Sequence, residues 1–199
     1  LFRSEKIKYF YDHKKDFSLT VEESRLLDKT YLSFTRNGAL LDATKKDALR
    51  KIDQELSTLG PQFSEHVLKA TNAFEMVLEA SDLDGLPESA IEAARDLAMS
   101  KGMQGKYIFN LQIPSYLPLV TYSKRRDLRE KAFRAYNSRA VEGPLSNQDL
   151  IKKILKLKRE RAQLLGFKDH ADFVLQERMA QTSTQVTRSE ERRVGKECR

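Results

Sequence analysis

The stretch "DATKKDALRKIDQELSTLGPQFSEHVLKATNAF", residues 42–74, decides how the rest of the chain is read. Leu49, Ile52, Leu56, Leu59, Phe63, Val67, Ala70 and Phe74 recur three or four residues apart. That spacing keeps one face of an α-helix apolar and does not fit the two-residue alternation of a strand. It predicts one long helix beginning near Asp42 or Thr44. Gly60 and Pro61 interrupt the stripe. Proline has no N–H to donate and crowds the preceding turn, so a kink or short break is expected there.

The same stretch sets Glu65 beside His66, which raises the question of a metal-binding helix. Zinc helices of the HExxH kind place two imidazoles four residues apart on one face. Counting from His66, the same-face neighbours are Gln62, Phe63, Lys69 and Ala70, which are not metal ligands. His13 and His170 are equally isolated, and no pair of histidines has ligand spacing. All three read as surface or capping histidines. No catalytic, cofactor-binding or metal role is assigned to any residue.

Working outward, Leu1, Phe2, Ile7 and Phe10 trace the end of one helix. Thr20 followed by an early Glu is an N-cap signal for a second, which carries Leu26, Leu27, Tyr31 and Phe34 and stops at Asn37-Gly38. These two form a helical hairpin. After the long helix, residues 75–79 ("EMVLE") read as a short strand and 106–112 ("KYIFNLQ") as another, able to pair across an inserted helix that Pro87 opens and that ends near Gly102. A short helix is expected after Pro114, and then a longer one with Leu128, Ala132, Ala135 and Tyr136 on one side. Arg125, Arg126, Arg129, Arg134 and Arg139 lie along that segment. Ser146 or Asn147 can cap a helix over 148–165, Gly166 stops it, and Asp169 caps the next. The fold class is mainly α, with at most one small β-hairpin and no internal repeat.

With 199 residues and 40% hydrophobic content the chain can bury a core as one large domain or two small ones. Its formal charge is +7, but Lys and Arg are interspersed with Asp and Glu. The densest basic run, "KKILKLKRERAQLL" (152–165), alternates with apolar residues at helical spacing and reads as an amphipathic helix. Neither a nucleic-acid module nor a run of membrane-spanning length is visible, so neither partner is expected. The single cysteine, Cys198, excludes an internal disulfide framework and fits a reducing compartment.

Several long segments, in order, carry more information: "LLDKTYLSFTRNGALL" (26–41), "FSEHVLKATNAFEMVL" (63–78), "GLPES" (85–89), "LQIPSYLPLVTYSKRRDLREKAFRAYNSRA" (111–140) and "LLGFKDHADFVLQERMAQT" (164–182). Together they closely resemble the thimet oligopeptidase family of zinc metallopeptidases, in its peptidyl-dipeptidase and oligopeptidase A-like branch. The resemblance implies the helical half of a neurolysin-like bipartite metallopeptidase: a cytoplasmic enzyme that cleaves short peptides in a deep channel between two largely helical halves. In that family zinc is held by an HExxH helix and a later Glu. No HExxH occurs here, and in the family that helix lies downstream of the segment resembling residues 170–186.

The expectation is therefore a truncated, catalytically inert piece, cut at the front and lacking the C-terminal catalytic half of the same chain. Residues 1–186 would be channel-wall scaffold and residues 187–199 a non-native or disordered tail, since the apolar period disappears in "TRSEERRVGKECR". Zinc would belong to the intact parent and not to this piece. The arginine-bearing segment 124–139 would either attract peptide carboxylates or form ion pairs on a solvent face. The alternative is a self-contained helical protein-interaction module binding through an exposed apolar groove.

Overall fold

The computed structural model describes residues 3–188. The expectations for Leu1 and Phe2, and that for the tail over 189–199, lie outside the described residues. The architecture is mainly helical, with one two-stranded antiparallel sheet among the described residues. The chain divides into two compact units: one formed by Leu1–Ser57 with Lys153–Arg199, the other by Thr58–Lys152.

In the first unit, α1 (Arg3–Asp12) and α2 (Val21–Arg36) form the expected hairpin. Helix α2 starts at Thr20 because the Thr20 hydroxyl accepts the Glu23 N–H at 3.2 Å while the Glu23 carboxylate accepts the Thr20 N–H at 2.9 Å. This reciprocal capping box satisfies two amides that the helix leaves unpaired. Tyr11 stacks on Tyr31 with ring centroids 3.8 Å apart, and Lys14 reaches Asp28 at 2.7 Å. The turn after α2 needs the left-handed conformation of Gly38 (φ +81°), where an added Cβ would meet Leu49.

Asp42 then caps the long helix α3 (Ala43–Ala73), accepting the Lys45 N–H at 2.8 Å. α3 runs through Gly60-Pro61 without the short break that was one of the two expected outcomes there. Both residues are exposed, so water can satisfy the carbonyl that Pro61 leaves without a donor. Later in the chain, α7 (Gln148–Leu164) ends at Gly166 (φ +86°), and Asp169 caps α8 (His170–Leu175) by accepting the Asp172 N–H at 3.0 Å.

The second unit is organised around the hairpin. β1 (Glu75–Leu78) pairs antiparallel with β2 (Tyr107–Asn110) in the register Met76 to Phe109 and Leu78 to Tyr107. Met76, Leu78 and Phe109 join Leu83, Leu86, Ala90, Ala94, Leu111, Tyr116, Leu119 and Ala132 in one buried cluster. α4 (Glu88–Ser100), α5 (Ile113–Tyr122) and α6 (Arg126–Asn137) supply its helical walls. Pro87 stands just outside α4 as its N-cap, one place earlier than expected. Pro114 falls inside the first turn of α5, where a missing N–H costs no helical bond. Among the described residues no helix is long and apolar enough to cross a membrane.

Candidate functional site

His13 and His66 each have a structural explanation. His66, on α3, is half-buried and its Nδ1 lies 2.9 Å from Asn147 Oδ1, while the Asn147 amide donates to the Phe63 carbonyl at 3.1 Å. With the amide nitrogen already donating to that carbonyl, the Asn147 oxygen must accept, so Nδ1 of His66 carries the proton. His66 is thus tied into the fold and not a free surface or capping group; of the two capping candidates for α7, Asn147 spends its side chain on α3, and it is Ser146 whose hydroxyl accepts the Gln148 N–H, at 3.4 Å. Glu65 points elsewhere and pairs with Lys69 at 2.7 Å, one turn on, which holds its carboxyl below the usual range.

His13 stacks on Tyr9 and bonds the Tyr9 carbonyl through Nδ1 at 2.9 Å, closing the end of α1 as a capping histidine does. His170, on α8, has a buried Nδ1 without a hydrogen-bond partner. Burial, and then the nearby Lys158 and Arg161, push its pKa down, while Asp169 opposes the shift. No three His, Cys, Asp or Glu side chains among the described residues converge as a metal ion would require. The described residues therefore assemble no zinc donor set.

The arginine segment is mostly, but not wholly, paired. Arg125 holds Asp127 through two bonds of 2.9 and 2.7 Å and also reaches Asp82 at 2.7 Å. That fork, rather than burial, keeps the Asp127 carboxyl at about 2. Arg134 takes Glu130 at 2.8 Å. Arg139 caps the Tyr136 carbonyl at 2.7 Å, donates to Thr71 Oγ1 at 3.0 Å and lies 3.6 Å over the Tyr136 ring. Arg129 gives one Nη to the Ser123 carbonyl at 2.5 Å. Arg126 makes no hydrogen bond or ion pair among the described residues.

Arg126, Arg129, Glu130 and Phe133 of α6, with Val120 of α5, line an open cavity of about 390 Å³. Phe133 and Val120 were absent from the sequence reading of this segment. The signal was present: Phe133 is apolar yet falls off the inward stripe of Leu128, Ala132, Ala135 and Tyr136. A smaller cavity of about 220 Å³ lies where α4, β2 and the start of α5 meet, with Ala90, Ala94, Ile108, Gln112 and Ser115 in its lining.

Comparison with known proteins finds the relatives of the chain among peptidases. Residues 119–196 match the sequence model of peptidase family M3. A probable cytosolic oligopeptidase A of Arabidopsis thaliana is 38% identical over 170 residues, covering 82% of this chain and 24% of that protein. Oligopeptidase A of Escherichia coli (strain K12) is 37% identical over 175 residues, 85% of this chain and 26% of that protein. Dipeptidyl carboxypeptidase of the same strain is 27% identical over 174 residues, 86% of this chain and 26% of that protein. The chain spans about a quarter of the length of the curated relatives it matches.

Proposed function

We propose, from the premise that this chain belongs to peptidase family M3, that it is a non-catalytic helical portion of a cytoplasmic, zinc-dependent oligopeptidase that hydrolyses short peptides. Residues 1–186 serve as scaffold, walling a substrate channel and limiting entry by size. The hydrolytic chemistry belongs to segments that the relatives carry outside the aligned quarter. The observation that carries this reading is the extent of the likeness to oligopeptidase A: 37% identity across 85% of this chain. The intramolecular bonds that occupy His13 and His66 support a scaffold role. Zinc, when held by the complete site, would polarise water and stabilise the oxyanion; no residue described here is given a step in that chemistry.

The test is peptide hydrolysis by two proteins. The 199-residue chain alone is expected to show no chelator-sensitive turnover. A chimera of an oligopeptidase A, with its aligned quarter replaced by residues 1–186, is expected to retain turnover. Metal-dependent hydrolysis by the isolated chain would overturn the assignment. The interaction-module alternative draws on exposed apolar side chains such as Leu26, Leu68 and Leu117. A stable monomer together with an inactive chimera would favour it.

A further inference from the structure

Helix α6 packs Leu128, Ala132, Ala135 and Tyr136 toward the core of its unit. Arg129 and Glu130 lie three and four residues after Arg126, and Phe133 lies four and three residues after them, so the four are neighbours on a different part of the helix surface. The cavity they line with Val120 has a surplus of positive charge. Arg134 already neutralises Glu130, Arg129 uses one nitrogen on Ser123, and Arg126 has no partner among the described residues. Beside these guanidinium groups stands a phenylalanine ring that is 57% exposed.

The two features select a ligand jointly. An arginine fork matches a carboxylate with parallel N–H···O bonds, and two arginines a turn apart can bracket one. An inorganic anion would use the arginines and leave Phe133 wet. A hydrocarbon would do the reverse and desolvate unpaired charge. A carboxylate attached to an apolar side chain satisfies both, and the volume falls within the roughly 300–1,000 Å³ of small-ligand sites.

We propose that this cavity binds the free C-terminal carboxylate of a short peptide ending in an apolar residue, with Arg126 and Arg129 on the carboxylate and Phe133 and Val120 against the side chain. The choice of a peptide as ligand rests on the peptidase reading above. The charge and the ring are properties of the cavity itself.

The test titrates N-acetyl-alanyl-phenylalanine, and the same compound as its C-terminal amide, into the 199-residue chain at low ionic strength, following backbone amide shifts. The acid is expected to saturate with shifts confined to residues 120–133. The amide is expected to bind about tenfold more weakly, since it loses the charge-assisted bonds. Arg126→Gln is the cleaner variant, because its side chain has no intramolecular partner to lose among the described residues; it should weaken the acid about tenfold and leave the amide unchanged. Phe133→Ser should abolish the preference for phenylalanine over glycine at the C-terminus, and Lys131→Gln should change nothing.

Equal binding of acid and amide, no saturable shift with the acid, or acetate binding as well as the peptide would each overturn the proposal. The readout needs no turnover. A null result here leaves the peptidase assignment to its own hydrolysis test, and an inactive chimera leaves this binding result intact.

Discussion

The two units stabilise themselves by different means. Residues 58–152 bury a continuous apolar cluster around a β-hairpin, with Ile108, Phe109, Leu111 and Leu119 almost wholly removed from water. In the other unit, α2 has no buried residue at all, and Leu26 is 67% exposed. Beside a smaller buried set, Leu49, Leu157 and Ala162, this unit relies on rings and charges: Tyr11 on Tyr31, Arg36 4.1 Å over the Phe173 ring, Arg36 paired with Glu177 at 3.2 Å, Arg161 with Asp53 at 2.7 Å, Lys153 with Glu55 at 2.7 Å. Apolar burial is worth far more per residue than exposed ion pairs. The hairpin unit should therefore be the more stable of the two, and the other should open first when measured by hydrogen exchange.

The sharpest way to break that contrast is Phe109→Ala. Removing a ring that is 1% exposed from the centre of the cluster is expected to cost about 3–5 kcal/mol, and exchange should accelerate in β1, β2 and α4 while α2 is unaffected. Equal acceleration in both units would show that they unfold as one. Gly85→Ala comes next. Gly85 has φ +87° and its missing Cβ would collide with the Tyr122 backbone carbonyl, which cannot rotate away as a side chain could. A loss of about 1–3 kcal/mol in thermal unfolding is expected, again confined to the hairpin unit.

In the other unit, Thr20→Ala removes the capping box and should cost about 1 kcal/mol, fraying the first turn of α2 in exchange measurements. The pH dependence of that unit gives a smaller effect with a defined sign. His170 has its pKa lowered in the fold, so the unfolded chain binds the proton more readily. Stability from this group is complete above the ordinary value of 6.5 and declines as pH falls through the depressed folded value. Melting at pH 7.5 and 5.5 should show a decrease that His170→Phe removes. The smallest effect concerns Asp127, fully exposed but held by Arg125. Carboxyl NMR should find it ionised down to about pH 2, with its small contribution to stability lost only as pH falls from about 4 toward 2.

Much of this was legible along the chain because it is local. Capping at Thr20 and Asp169, the stops at Gly38 and Gly166, and the helical period through Leu49, Leu59 and Val67 depend on neighbours within a few residues. The pairing of 75–78 with 107–110 was only partly legible: Tyr107, Ile108 and Phe109 mark a strand, whereas 75–78 carries one β-branched residue, Val77, and no aromatic. The candidate site was less so. Which of five arginines stays unpaired depends on carboxylates such as Asp82, which is remote in sequence from Arg125. Whether Pro61 breaks a helix depends on water reaching a carbonyl.

The sequence by itself determined the helical elements, their ends and the likeness to a peptidase family, because hydrogen bonding and apolar periodicity act over one or two turns. Only the tertiary structure decided that His66 is tied to Asn147, that Pro61 lies within an unbroken helix, and that Arg126 and Phe133 share a cavity. Those facts depend on which side chains meet across long separations in sequence, and no periodicity encodes that.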